Sequence, residues 1–435
     1  MWSANVLTGN ELTISGLTAT ALANEFATPV FILDEADFRS RAIKWDRTLK
    51  LAFDESAGMV YYAAKAFICT EVARWINEIG IGIDVCTGGE LAVALAGGIN
   101  PEKIEFHGNN KSLAEIDKAV SAGVGTIVID SLLEIERVSV VSIKYGVVQK
   151  ILLRLTPGIE AHTHESIATA HEDVKFGFSI ASGAAWKAIE EVQRHASIEL
   201  RGFHAHIGSQ ILDTGSFEIS AERLIALLAQ YRDVFSTELP ELNLGGGYGI
   251  QYLPSDDELD PTVAMAALAT SVSKNCHLYK LTVPRISIEP GRAIVGPSML
   301  TLYEVGTVKD VVLENGKSRR YISVDGGMSE NIRPALYAAE YTAVLANRTS
   351  TSELISTRLV GKHCETGDIL IRDIALADDI APGDLLATPA TGAYGRSMAS
   401  NYNHAPRPPV VAVKDGKARV IVRRETEADL LGLDI

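Results

Sequence analysis

The chain has 435 residues, 47% of them hydrophobic and 22% charged, and a formal net charge of −15. Such a composition belongs to an ordinary globular protein long enough for two domains. The acidic balance argues against nucleic acid or an anionic membrane as the main partner, so an anionic substrate would need a local positive pocket. Four scattered cysteines (Cys69, Cys86, Cys276, Cys364) form no CxxC pair, which points away from a disulfide framework or a zinc knuckle. The opening Met1-Trp-Ser-Ala-Asn5 lacks the basic-then-apolar pattern of a signal peptide. No apolar run reaches the roughly 18 residues of a membrane span, and a cytoplasmic protein is expected.

Thr18 to Phe26 reads as a short helix, Pro29 to Leu33 as a strand and Asp37 to Leu51 as an amphipathic helix. From Val60 onward eight short apolar runs follow in series: Val60–Ala63, Ile81–Val85, Ile104–His107, Thr126–Ile129, Ile151–Leu155, Gly202–His206, Glu241–Leu244 and Ile286–Glu289. Helix-length segments separate most of them, among them Gly89–Ala96, Leu113–Ala122, Leu132–Lys144 and Ala221–Phe235. This repeated alternation predicts a parallel (β/α)₈ barrel, with its domain placed at residues 36–291. After Arg292, Val-, Ile- and Thr-rich runs separated by Gly, Asp and Asn predict a mostly antiparallel β domain, sandwich- or barrel-like, from 292–435. The strand at 29–33 stands outside the eightfold series, so the segment 1–35 is assigned to that second domain.

Polar residues recur at the carboxyl ends of the barrel runs: Lys65, Asp84, His107, Asp130, Arg154, His206, the Gly245-Gly246-Gly247 turn and Glu289. Barrel active sites lie at that face. Lys65 follows the apolar run Met59 to Ala64. A lysine beside low-dielectric walls can lose its proton and form a Schiff base with an aldehyde cofactor, although alone it could equally be a side chain snorkelling to water. The glycine turn after the seventh run and Pro290-Gly291-Arg292 after the eighth fall where barrels bind phosphate. A carboxylate such as Glu289 at a pyridine nitrogen keeps the ring protonated, which suits carbanion chemistry. His204 and His206 share a strand face. They could hold a metal, but no third ligand of fitting spacing stands nearby, so no metal is assigned. His206 stacking on a ring and Ser209 donating to phosphate is preferred.

In the second domain, Lys362-His363-Cys364-Glu365-Thr366-Gly367-Asp368 places a thiol beside a histidine and carboxylates, able to give or take protons. Arg333 and Tyr337 offer a cation and a phenol for a substrate carboxylate, and Tyr394 a further phenol.

Together these motifs resemble the meso-diaminopimelate decarboxylase family, of the alanine-racemase-like (fold type III) pyridoxal-phosphate decarboxylases. The resemblance runs from about Pro29 to Val422. It rests on Tyr62-Ala-Ala-Lys65-Ala, His107-Gly-Asn-Asn-Lys111, Gly158-Ile-Glu-Ala-His162-Thr-His164-Glu165, Lys175-Phe-Gly177 and His206-Ile-Gly-Ser209-Gln. It rests equally on Gly245-Gly-Gly-Tyr-Gly249, Glu289-Pro-Gly-Arg292, Asp325-Gly-Gly-Met, Cys364-Glu-Thr-Gly-Asp368 and Gly392-Ala-Tyr394.

The resemblance implies that Lys65 carries pyridoxal 5'-phosphate covalently, with Asp84, Gly291 and Arg292 among the cofactor's neighbours. It implies that His206 stacks on the ring, that Ser209, Gly245–Gly247 and Tyr394 bind the phosphate, and that Glu289 meets the ring nitrogen. Arg292, Arg333, Tyr337 and Tyr394 would hold the substrate's distal carboxylate and Glu365 its distal ammonium. Cys364 would protonate the carbanion, and its loop would come from the partner in a homodimer. The expected reaction is decarboxylation of meso-2,6-diaminopimelate to L-lysine, the last step of lysine biosynthesis. A decarboxylase of ornithine, arginine or carboxynorspermidine, a racemase, and a catalytically silent pyridoxal-phosphate-binding homologue stand as alternatives.

Overall fold

The structure, a computed structural model, describes residues 3, 5–159, 175–314, 316 and 318–435. The chain divides into two compact units. One comprises Arg41–Gly249 and Glu258–Gly291, the other Met1–Ser40, Ile250–Asp257 and Arg292–Ile435.

The first unit is a closed parallel barrel. Its strands are β1 (Ala57–Ala63), β2 (Gly82–Val85), β3 (Ile104–Phe106), β4 (Thr126–Ile129), β5 (Gln149–Thr156), β6 (Ile198–His204), β7 (Glu241–Asn243) and β8 (Arg285–Ile288). Each pairs in parallel with the next, and β8 pairs with β1 to close the ring. All four residues of β2 and of β4 are buried, because helices cover the outer face and side chains fill the interior. That is why burial in these runs is continuous rather than alternating.

Local signals punctuate the unit where the chain leaves each strand. Thr87 and Ser131 cap the helices Gly88–Ala96 and Leu132–Tyr145, and Ser112 with Glu115 forms a capping box on Leu113–Ala122. Gly80, Gly123 and Gly146 end helices in the left-handed conformation that costs other residues a steric penalty. In β6 the register shifts between Leu200 and Gly202. A methyl group at Gly202 would lie 1.7 Å from the Glu241 carbonyl oxygen, so only glycine lets β6 and β7 approach there.

The second unit is built on the long strand Met299–Val312, which pairs antiparallel with Val30–Asp34, Ser318–Val324 and Leu385–Thr388. Val30–Asp34 lies between it and Val410–Lys414, with all five residues buried, so the early strand belongs to this sheet. Two pairings, Val30–Asp34 with Val410–Lys414 and Ser318–Val324 with Leu354–Val360, are parallel in an otherwise antiparallel arrangement. Ile369–Ala377 pairs antiparallel with Leu354–Val360. Leu12, Ile14, Leu22, Val30, Ile32, Leu300, Leu302, Val411 and Val413 pack in one core cluster. Among the described residues, no helix is long and apolar enough to cross a membrane.

Candidate active site

The carboxyl ends of the barrel strands surround a cavity of about 370 Å³, lined by Lys65, Cys86, His107, Arg154, Phe176, His204, His206 and Glu289 among others. That volume lies in the range of small-ligand sites. Lys65 sits just past β1, its side chain 34% exposed, with Nζ 3.6 Å from Asp84 Oδ2 at the end of β2. Burial pushes the Asp84 carboxyl up to about 8, against the pull of the Lys65 charge.

Glu289 follows β8. Its Oε1 lies 3.0 Å from His204 Nε2 and 3.1 Å from His107 Nε2, and accepts a hydrogen bond from Asn243 Nδ2 at 3.0 Å. The two histidine approaches are close but lack in-line hydrogen-bond geometry. Burial drives His107 down to about 3 and lowers His204 as well, so both rings are neutral at pH 7. For Glu289, burial favours the acid form and the two imidazoles oppose it, which leaves a carboxylate held well below its usual range. His206 lines the same cavity, and burial, then the Lys65 charge, pushes its ring well below the usual value. A neutral imidazole suits stacking on a flat ring.

The glycine turn is wedged between the exits of β6 and β8. A methyl group at Gly245 would lie 2.3 Å from the Ala205 carbonyl oxygen, and one at Gly246 would lie 2.1 Å from that of Glu289. Gly245 N–H donates to Asn243 Oδ1 at 2.8 Å and Gly246 N–H to His206 Nδ1 at 3.2 Å. Gly247, at φ 108°, packs against the Gly208 carbonyl and so brings the Ser209 loop to the turn. Gly291 packs on Ala63 and Ala66, beside the Lys65 turn.

In the second unit, Arg292 Nη1 donates to the Tyr252 hydroxyl, and its guanidinium lies 4.8 Å from the Tyr394 ring centre. Arg333 donates to the Tyr341 hydroxyl and lies 4.9 Å from the Tyr252 ring. Both arginines are buried. Tyr337 ends the helix Arg333–Tyr337 and is half-buried, whereas the phenols bonded to the arginines are Tyr252 and Tyr341. Cys364 and Glu365 are exposed on the loop before Ile369–Ala377. The loop is anchored beside them: His363 Nε2 lies 2.8 Å from Ser329 Oγ, and Asp368 accepts the N–H groups of His363 and Met328 at 2.8 and 2.6 Å.

Glu105, Asn243, Tyr252 and Tyr341 escaped the sequence reading. Glu105 and Asn243 lie inside barrel strands, where a polar residue in an apolar run was the available signal. The two tyrosines carry no local motif. The stretch from Glu160 to Glu165, part of the family resemblance, lies outside the described residues.

A closed parallel barrel whose mouth holds a lysine, a neutral histidine and a buried carboxylate can seat a flat aldehyde cofactor. A family profile described as pyridoxal-dependent decarboxylase, pyridoxal binding domain, matches residues 35–296. The chain is 54% identical to the diaminopimelate decarboxylase of Mycobacterium tuberculosis, over 97% of this chain and 94% of that one. It is 44% identical to that of Bacillus subtilis, over 98% and 95%. A solved diaminopimelate decarboxylase from M. jannaschii, in complex with L-lysine, matches with a TM-score of 0.92 at 30% identity, covering 100% of this chain and 99% of that one. This chain belongs to the diaminopimelate decarboxylase family.

Proposed function

We propose that the protein removes CO₂ from meso-2,6-diaminopimelate to give L-lysine, using pyridoxal 5'-phosphate, as a cytoplasmic homodimer. The observation that carries this reading is the meeting of Lys65, His206 and Glu289 in one cavity of a chain 54% identical to a diaminopimelate decarboxylase. The cavity residues fit the cofactor: Asp84, His107 and His204 carry buried polar atoms without hydrogen-bond partners, Glu289 is anionic and His206 is neutral. When bound, the cofactor supplies a protonated ring that accepts the electron pair released by C–C cleavage.

The chain's own residues then divide the work. Lys65 would hold the cofactor through its aldehyde, with Asp84 3.6 Å from its amine. His206 would lie against the ring, and Glu289 would favour a protonated ring nitrogen. Ser209, Gly245, Gly246, Gly247 and Tyr394 would bind the phosphate, with Gly291 and Arg292 beside the cofactor. Arg292 and Arg333, with Tyr337 and Tyr394, take the distal carboxylate. Glu365 takes the distal ammonium, and Cys364 delivers a proton to the carbon that CO₂ leaves. The loop carrying these last two comes from the partner subunit.

A buried arginine selects for a dicarboxylate, because a substrate lacking the distal carboxylate would leave its charge uncompensated at a cost of several kcal/mol. Incubation with meso-diaminopimelate and pyridoxal phosphate should yield L-lysine and CO₂ in equal amounts. A preference for ornithine, arginine or carboxynorspermidine would overturn the substrate, and a colourless protein that takes up no pyridoxal phosphate would overturn the chemistry.

A further inference from the structure

Asn243, the last residue of β7, is 1% exposed and its side chain has three partners. Its Nδ2 donates to Glu289 Oε1 at 3.0 Å and to Glu105 Oε2 at 2.7 Å, and its Oδ1 accepts the Gly245 N–H at 2.8 Å. Both donors and the acceptor of an amide lie in one rigid plane, so these bonds fix Glu289 and the glycine turn against each other. We infer that Asn243 is a positioning residue, which holds the carboxylate for the cofactor's ring nitrogen in register with the turn for its phosphate. This rests on the reading of the cavity as a pyridoxal-phosphate site.

The surroundings are built for that role. Asn243, His107 and His204 all approach the same oxygen of Glu289, which pins the carboxylate by one end. Glu105 on β3 is buried, and burial, then the Glu289 charge, raises it well above the usual carboxylate range. Its acid form is therefore favoured, and its Oε2 accepts from Asn243 at 2.7 Å. Aspartate at 243 would forfeit both donated bonds and set a carboxylate against Glu289. Gln at 105 would keep a neutral carbonyl acceptor.

The test compares Asn243→Ala, Asn243→Asp and Glu105→Gln with the wild type, using three readouts. Pyridoxal phosphate binding should weaken about 10- to 100-fold in both Asn243 variants, as for loss of hydrogen bonds to a charged group. Their kcat should fall by a similar factor while KM stays within about threefold, the pattern of misplaced chemistry rather than lost substrate binding. In cofactor-free protein, amide hydrogen exchange over 244–249 should quicken about tenfold in Asn243→Ala, since the Gly245 N–H loses its acceptor. Glu105→Gln should stay within about threefold of wild type throughout.

Asn243 variants that match wild type in all three readouts would overturn the inference. So would a Glu105→Gln variant as impaired as Asn243→Ala, which would make the cluster a general structural requirement. If Asn243→Ala does not fold, the isosteric Asn243→Asp carries the test. Should the wild type take up no pyridoxal phosphate, the proposed function fails, and the exchange rates still decide whether Asn243 holds the turn.

Discussion

Burial sets the charge of the ionisable side chains at the barrel mouth as much as their partners do. His107 shows the consequence for stability. Its pKa falls from 6.5 in the unfolded chain to about 3 in the folded one, so between those values the unfolded state binds more protons. Stability therefore rises with pH through that window, is fully present above about 6.5, and is lost progressively as the pH falls toward 3. His107→Gln should lose less stability than wild type between about pH 7 and pH 4.5, measured by urea unfolding of the cofactor-free protein. Arg333 tests specificity at the same scale. Arg333→Met should raise KM for meso-diaminopimelate by about 10²-fold and narrow the preference over diamino acids without a distal carboxylate, as steady-state competition assays would show.

At the scale of elements, close backbone approach aims the site. The glycine turn after β7 fits between Ala205 and Glu289 because no Cβ intervenes, and Gly202 does the same between β6 and β7. Gly202 lies within β6, so its substitution separates stability from chemistry. Gly202→Ala should destabilise the protein by about 2–4 kcal/mol in urea unfolding, because a backbone carbonyl cannot move aside as a flexible side chain does. The surviving folded fraction should keep its KM. The Cys364 loop is fixed in another way, through the Ser329–His363 bond and the two N–H groups on Asp368, which leave the thiol exposed at its tip.

At the scale of the whole molecule, the proposed dimer makes a quantitative demand. If Cys364 serves the partner's lysine, Lys65→Ala and Cys364→Ala proteins are each nearly inactive alone. Mixed and reassorted at random, half the dimers are hybrids with one intact site, so about a quarter of wild-type activity should return. Activity measured on the mixture checks this, and no recovery would place both residues in one chain's site. Activity per chain should also fall on dilution through the dimer dissociation range.

By itself the sequence determined the eight barrel strands, because strands covered on both faces are short and mostly apolar and the helices between them carry their own caps and terminal glycines. It also marked Lys65, His206, the Gly245–Gly247 turn and Glu289, since residues at the carboxyl ends of such strands converge on one cavity once the barrel closes. The early strand Val30–Asp34 was legible as the run that broke the series. Only the tertiary structure decided that Asn243 joins Glu289 to the glycine turn, that Glu105 is buried against Asn243, and that Tyr252 and Tyr341 hold the two arginines. Most depend on residues far apart in the chain, and all on burial that no local pattern of residue types encodes.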